Sequence, residues 1–274
     1  MSSETLQIAF IGAGNMARSL IFGLLDDGFE PVAIRAADPV PDARATLSER
    51  GVTVTADNAA AIDGADAVVL AVKPQVLAAV LRQLPVLAPG QLLISVAAGA
   101  PIAALEAALG QPQPIVRCMP NTPALVGAGA AALYANALVS LEQRTLAQRL
   151  LESGSQVTWV ATEADLDAVI AVSGSGPAYF FAMLEAMIET GVELGLEPEQ
   201  ARLLAGQTAL GAATMALQPG ADPGELRRAV TSPNGTTQAA LEVLTRADFA
   251  ATVKGAMQAA VDRAQTLAEE FSDS

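Results

Sequence analysis

Near Thr162 the periodicity of this chain changes, and that change limits its fold more than any other feature. Before it, apolar runs at Leu6–Ile11, Val32–Ala37, Ala67–Val72, Leu92–Val96 and Ile115–Met119 are separated by Ala- and Leu-rich helical stretches. Strands alternating with helices of that length predict parallel βαβ units. From Thr162 the strands stop. Thr162, with Asp165 three residues on, resembles a capping box opening a long helix. That helix is interrupted at Ser173–Pro177 and runs on through Tyr179, Phe180, Met183, Met187 and Val192. Further helices are predicted over 198–217, 222–230 and 236–245. A last one carries the stripe Phe249, Val253, Met257, Val261, Ala264, Leu267, Phe271, with Glu269–Ser274 read as frayed. The expected class is therefore α/β, with an α/β domain over residues 1–162 and an all-helical domain over 163–274.

Within the first half, Gly12-Ala13-Gly14-Asn15-Met16-Ala17 follows the strand ending at Ile11 and opens a helix. This is G-x-G-x-x-A in the context of a Rossmann dinucleotide-binding domain. Gly12 permits the tight turn, Gly14 lets the backbone approach a pyrophosphate, and the helix start meets its charge. Asp38 closes the second strand. In the general fingerprint that carboxylate accepts the ribose 2′-hydroxyl and repels a 2′-phosphate. Arg35 and Arg44 are near enough in sequence to supply a phosphate counter-charge, with Asp38-Pro39 turned outward. Ala71-Val72-Lys73-Pro74 ends the buried central strand, where ligands of such sheets bind. Lys73 fits a ligand contact and an ordinary strand-end lysine equally well.

Composition removes whole classes of chemistry. The chain has no histidine, so it holds no Ser-His-Asp or Cys-His machinery and no histidine-ligated metal. The single cysteine, Cys118, excludes an intrachain disulfide and a clustered-cysteine zinc site, and reads as a small core residue. No metal site is expected. The net charge of −14 makes nucleic acid a poor partner. Two uncharged runs, Leu84–Leu105 and Cys118–Leu141, would satisfy a hydropathy window, but both contain prolines and polar residues. Buried parallel strands give the same signal, so no membrane is expected and the cytoplasm is the default address. Glu185, Glu189 and Glu193 form one acidic stripe on an otherwise apolar helix, whose remaining girth suggests burial between subunits.

In the helical half, the turn Pro233-Asn234-Gly235 lies between two helical patterns and is bracketed by Thr231, Ser232, Thr236 and Thr237. Pro233 pre-sets a turn dihedral, and Asn234 and Gly235 tolerate left-handed backbone. Free N–H groups at the start of the next helix suit a carboxylate, and a flanking hydroxyl can reach a ring nitrogen. An ordinary capped helix–turn–helix has the same spacing.

The run Leu226, Val230-Thr231-Ser232-Pro233-Asn234-Gly235-Thr236-Thr237, Ala240-Leu241 resembles the signature of pyrroline-5-carboxylate reductases. So do GAGNM at 12–16, AVKP at 71–74, SVAAG at 95–99, RCMPNTP at 117–123 and VSGSGPAYFF at 172–181, in the family's order. The resemblance implies reduction of 1-pyrroline-5-carboxylate to L-proline, the last step of proline biosynthesis, by hydride transfer to the cyclic imine carbon. The reductant it implies is NADPH, with NADH also accepted. The family more often has a small hydroxyl residue at the position of Asp38, a departure that bears on cofactor choice. Ile11, Gly12, Ala13, Gly14, Asn15, Met16, Asp38, Asn58, Ala71, Val72, Lys73 and Pro74 would border the dinucleotide. Ala97, Ala98 and Gly99 would lie beside the nicotinamide. By the same resemblance Thr237 would hydrogen-bond the substrate's ring nitrogen as the catalytic hydroxyl. Asn234, Gly235, Thr236 and the break Ser173, Gly174, Ser175, Gly176 would hold the carboxylate, with Asn121 walling the pocket. The helical domain would form a homodimer, which in family members often assembles further into a decamer.

Two other classes stay open on sequence. One is a related cyclic-imine or β-hydroxyacid reductase, many of which use a helix lysine that is absent here between Glu163 and Glu199. The other is a non-catalytic nucleotide-sensing protein that keeps the fold alone.

Overall fold

The computed structural model describes residues 6–272 and divides the chain into two compact units. One runs to Ser175 and resumes at Ala260; the other comprises Gly176–Ala259.

The first unit is built on a sheet of strands β1 (Ile8–Ile11), β2 (Ile34–Ala37), β3 (Thr53–Thr55), β4 (Ala67–Leu70), β5 (Leu92–Ser95), β6 (Ile115–Met119), β7 (Gly129–Ala135) and β8 (Ser155–Trp159). These eight strands are ordered β3-β2-β1-β4-β5-β6-β7-β8. All neighbours are parallel except β7, which runs antiparallel to β6 and carries β8 parallel to itself. The five runs expected from sequence are all strands, though Val32 and Ala33 belong to a 3₁₀ turn before β2. Three further strands, β3, β7 and β8, add to them. The two uncharged runs are accounted for here, since Leu84–Leu105 contains β5 and Cys118–Leu141 contains the end of β6 and all of β7.

Alternation along each strand divides the core into two layers. Ile8, Phe10, Val69, Ile94 and Val116 face helices α1 (Asn15–Asp26), α2 (Pro41–Ser48) and α6 (Leu141–Glu152). Ala9, Ile11, Val68, Leu70 and Leu93 face α3 (Asn58–Ile62), α4 (Pro74–Gln83) and α5 (Ile102–Leu109). Ile11 pairs with Ala37 on one side and with Leu70 on the other, so β1, β2 and β4 end level at one edge. This unit also includes α7 (Asp165–Val169), whose N-cap is Ala164 and not the expected Thr162, although Thr162 N–H donates to Asp165 Oδ2 at 2.8 Å.

The second unit consists of α8 (Gly176–Glu193), α9 (Pro198–Ala216), α10 (Pro223–Ala229), α11 (Thr236–Arg246) and the start of α12 (Phe249–Ser272). Helices α8 and α9 approach closely at Gly191, where a Cβ would lie 3.3 Å from that of Ala201. Few of its residues are buried, and Phe180, Phe181, Leu203, Leu210 and Leu217 are all at least 60% exposed. The run Asp165–Glu193 is 29 residues long, has a mean hydropathy of 1.3, and is long and apolar enough to cross a membrane.

The end of the chain differs from expectation. Helix α12 continues to Ser272, with Ala264 and Phe271 buried, and Phe271 packs with Leu77, Leu81, Ile102 and Leu105. Glu269–Ser272 are therefore helical rather than frayed; the last two residues lie outside the described residues.

Candidate functional site

At the edge where β1, β2 and β4 end, the backbone ladder continues past the strands. Gly12 N–H donates to Ala37 O at 2.7 Å, and Ala71 N–H donates to Ile11 O at 2.8 Å. Gly12 has φ +102°, and a Cβ there would lie 2.7 Å from Ala71 O, so only glycine fits between these strand ends. Gly14 has no such neighbour: nothing lies within 4 Å of the Cβ position, and as N-cap of α1 it makes no side-chain cap. The helix start thus presents N–H groups that no side chain caps, beside open space, an arrangement suited to a pyrophosphate. Asn15 and Met16 open α1, with Asn15 Oδ1 accepting from Arg18 Nη2 at 2.7 Å. Lys73 is the exposed N-cap residue of α4, followed by Pro74 in the first turn, while Ala71 and Val72 lie half-buried before it. Asn58 opens α3, which is capped by Asp57.

Asp38 does not turn outward. Its Oδ2 accepts from Ala13 N–H at 2.8 Å, inside the glycine loop, and its Oδ1 accepts from Val40 N–H at 2.9 Å. Arg44 donates to the main-chain oxygen of Asp38, and Arg35 Nη1 reaches Ala60 O at 3.4 Å.

Beyond β5, Val96 N–H continues the ladder to Leu70 O at 3.2 Å. Ala97 and Gly99 are buried and Ala98 is half-buried. Gly99 has φ +71°, and a Cβ there would lie 2.7 Å from the Cβ of Leu267, so the final helix seats directly on this loop. The loop's exit is held by Glu163, whose Oε1 accepts from Ile102 N–H at 2.7 Å and from Arg117 Nη1 at 2.8 Å. Sequence reading missed this brace. Its signal is a charged residue, Arg117, inside the apolar strand β6, where an unpaired charge would be prohibitive. Cys118, next to it, is buried, and burial raises its thiol pKa far above the ordinary value.

The interruption expected at Ser173–Pro177 is a π-helical turn over Ile170–Gly174, with Ser175 N–H donating to Ile170 O at 2.7 Å. Pro177 has no N–H for the carbonyl four residues before it. That carbonyl, Ser173 O, accepts instead from Asn121 Nδ2 at 3.0 Å, while Asn121 Oδ1 accepts from Ala130 N–H at 2.9 Å. Asn121 is thus a buried tie. Ser173 Oγ returns to Val169 O at 3.1 Å, and Gly174 leaves room for the end of Met119.

In the second unit, Asn234 takes the left-handed conformation at φ +58°. Gly235 does not: at φ −86° it is the extended N-cap of α11, and its N–H donates to Ser232 O at 3.0 Å. Its glycine character serves close approach, since a Cβ would lie 3.1 Å from Ser232 O. With the N–H of Gly235 engaged, Thr236 and Thr237 open the helix without a side-chain cap, and both are exposed. The structure thus gathers Gly12–Met16, Asp38, Asn58, Ala71–Pro74 and Ala97–Gly99 along one edge of the first unit. Gly176, Asn234, Gly235, Thr236 and Thr237 belong to the second.

Comparison with known proteins adds to this geometry. Residues 163–267 match the family described as pyrroline-5-carboxylate reductase dimerisation, and residues 7–99 match one described as NADP oxidoreductase, coenzyme F420-dependent. The chain is 54% identical over 270 residues to the pyrroline-5-carboxylate reductase of Pseudomonas aeruginosa, covering 98% of this chain and 99% of that one. It is also similar to a solved pyrroline-5-carboxylate reductase from Coxiella burnetii, with a TM-score of 0.89, 42% identity and coverage of 96% and 99% of the two chains. A pyrroline carboxylate reductase of Plasmodium falciparum, solved with NADP bound, gives the same TM-score of 0.89 at 28% identity, covering 97% of this chain and 99% of that one.

Proposed function

This chain belongs to the pyrroline-5-carboxylate reductase family, and from that membership we propose how its residues divide the work. The enzyme reduces 1-pyrroline-5-carboxylate to L-proline with NAD(P)H, the last step of proline biosynthesis. The observation that carries this reading is the 54% identity, sustained over nearly the full length of both chains.

The residues present fit a dinucleotide. The open space at Gly14 and the uncapped start of α1 would receive the pyrophosphate, and the strand ends at Asp38 and Ala71–Pro74 would flank it. Ala97, Ala98 and Gly99, braced by Glu163 and Leu267, would hold the nicotinamide end. When bound, a reduced nicotinamide supplies the hydride that reaches the imine carbon.

The remaining requirements are orientation and exclusion of water, not strong acid–base chemistry. The ring enters as a protonated imine, so its carbon is already electrophilic, which accords with a chain that has no histidine. Thr237 Oγ1 holds the ring nitrogen through a hydrogen bond. The N–H groups of Thr236 and Thr237, presented beyond Asn234 and Gly235, hold the carboxylate. Asn121 keeps the turn at Ser173 in place.

Residues 163–274 act as the dimerisation and substrate-binding part of a homodimer, which in turn builds a decamer. The exposed Phe180, Phe181, Leu203 and Leu210 support a protein partner for these helices. Glu185, Glu189 and Glu193 on α8 disfavour lipid around it, and the net charge of −14 disfavours nucleic acid. The setting is the cytoplasm.

The test is to mix purified protein with pyrroline-5-carboxylate and follow the loss of reduced-nicotinamide absorbance with NADPH and NADH. Imine-dependent oxidation supports the reading; no oxidation with either reductant rejects it.

A further inference from the structure

We infer that Asp38 discriminates against the adenosine 2′-phosphate, so that this enzyme binds NADH more tightly than NADPH. The inference rests on the placement of the dinucleotide proposed above. Both reductants can serve the reaction; what Asp38 sets is their ratio.

Donors and charge at the end of β2 decide the preference. A 2′-phosphate needs N–H groups or cations to receive it. Around Asp38 the two backbone donors are already engaged by the carboxylate itself. Ala13 N–H donates to Asp38 Oδ2 at 2.8 Å, and Val40 N–H, at the start of α2, donates to Oδ1 at 2.9 Å. The Arg44 guanidinium donates to the main-chain oxygen of Asp38. Arg35 Nη1 reaches toward Ala60 O at 3.4 Å, its buried Nε has no hydrogen-bond partner among the described residues, and Arg18 is held by Asn15 Oδ1 at 2.7 Å. The carboxylate therefore occupies the backbone donors that a phosphate oxygen would use, and carries the same sign of charge.

For a 2′-hydroxyl the same group is well made. A carboxylate offers about four acceptor positions, of which the two backbone N–H groups take one on each oxygen. The rest can accept from a ribose hydroxyl, and the two backbone bonds fix the side chain toward the glycine loop that meets the same nucleotide.

The experiment titrates the full-length protein with NADH, NADPH, 5′-AMP and 2′,5′-ADP by calorimetry, without substrate. Wild type should bind NADH and 5′-AMP about tenfold or more tightly than their 2′-phosphorylated counterparts, the scale expected for like charges in contact near a surface. Asp38→Ser and Asp38→Asn should each tighten NADPH and 2′,5′-ADP by about tenfold and weaken NADH and 5′-AMP, whose 2′-hydroxyl loses its carboxylate acceptor. Wild type that binds NADPH as tightly as NADH, or tighter, overturns the inference. So does an unchanged ratio in both variants when their melting transitions show them folded. If neither variant folds, the wild-type ratio alone decides. Turnover of pyrroline-5-carboxylate with an NADPH-favouring ratio would leave the proposed function standing and remove this inference. An NADH-favouring ratio without turnover would do the reverse.

Discussion

Asn121 donates its side-chain amide to the main-chain oxygen of Ser173 at 3.0 Å, joining the loop after β6 to the π-helical turn that leads into the helical unit. The donor stands in for the N–H that Pro177 lacks, and the other end of the amide accepts from Ala130 N–H. Removing it strands a carbonyl and an N–H together. Asn121→Ala should lower stability by about 1–3 kcal/mol in chemical denaturation. It should also reduce imine turnover more than it weakens cofactor binding. A variant as stable and as active as wild type would show that the tie is dispensable.

The two loop glycines should behave differently. Gly12→Ala meets both a positive φ of +102° and the Ala71 oxygen at 2.7 Å, and should cost about 2 kcal/mol or more. Gly14 has φ −72° and nothing within 4 Å of its Cβ position, so Gly14→Ala should leave the melting temperature nearly unchanged. The added methyl would fill the space proposed for the pyrophosphate, so the same variant should bind NAD(P)H weakly. Equal melting losses for both variants would contradict this division.

Burial raises the Cys118 thiol pKa in the folded chain. The unfolded thiol ionises above about pH 8.5, so the stability this group contributes is complete below that pH and declines above it, by up to about 1.4 kcal/mol per unit. Denaturation of wild type and Cys118→Ala at about pH 8 and pH 10 should show the steeper loss in wild type alone. Parallel losses in the two proteins would mean that the thiol ionises as readily folded as unfolded.

Phe181 is 62% exposed on α8. If this surface meets a second copy, Phe181→Glu should shift the protein toward monomer in light scattering at micromolar concentration, with wild type at least dimeric. A monodisperse wild-type monomer would remove the dimer from the account.

Much of this could be read from sequence because the relevant patterns are local. Apolar runs such as IAFI, followed directly by glycine, and AVVL, followed two residues on by Lys73-Pro74, mark buried strands, and Pro198 and Asp222 mark helix starts. Strand β7 escaped because Gly129–Ala135 is mostly alanine, a poor strand former that pairs here because β6 and β8 flank it. Strand β3, of three residues, is held by pairing with β2. The details of the site that remained hidden depend on tertiary packing. Asp38 faces the loop because Ala13 N–H, 25 positions earlier, is there to receive it, and Gly99 meets Leu267 from the far end of the chain. No window of sequence contains either pair.

In the proposed division of labour, one edge of the sheet holds the reductant and Thr237 acts on the imine. The most direct measurement compares wild type and Thr237→Ala for proline formed from pyrroline-5-carboxylate and for NADPH binding without substrate. Loss of a hydrogen bond aligned with the reacting nitrogen should lower turnover by about a hundredfold, with the cofactor dissociation constant nearly unchanged. Equal rates of proline formation in the two proteins, or a loss that follows weakened cofactor binding, would contradict it.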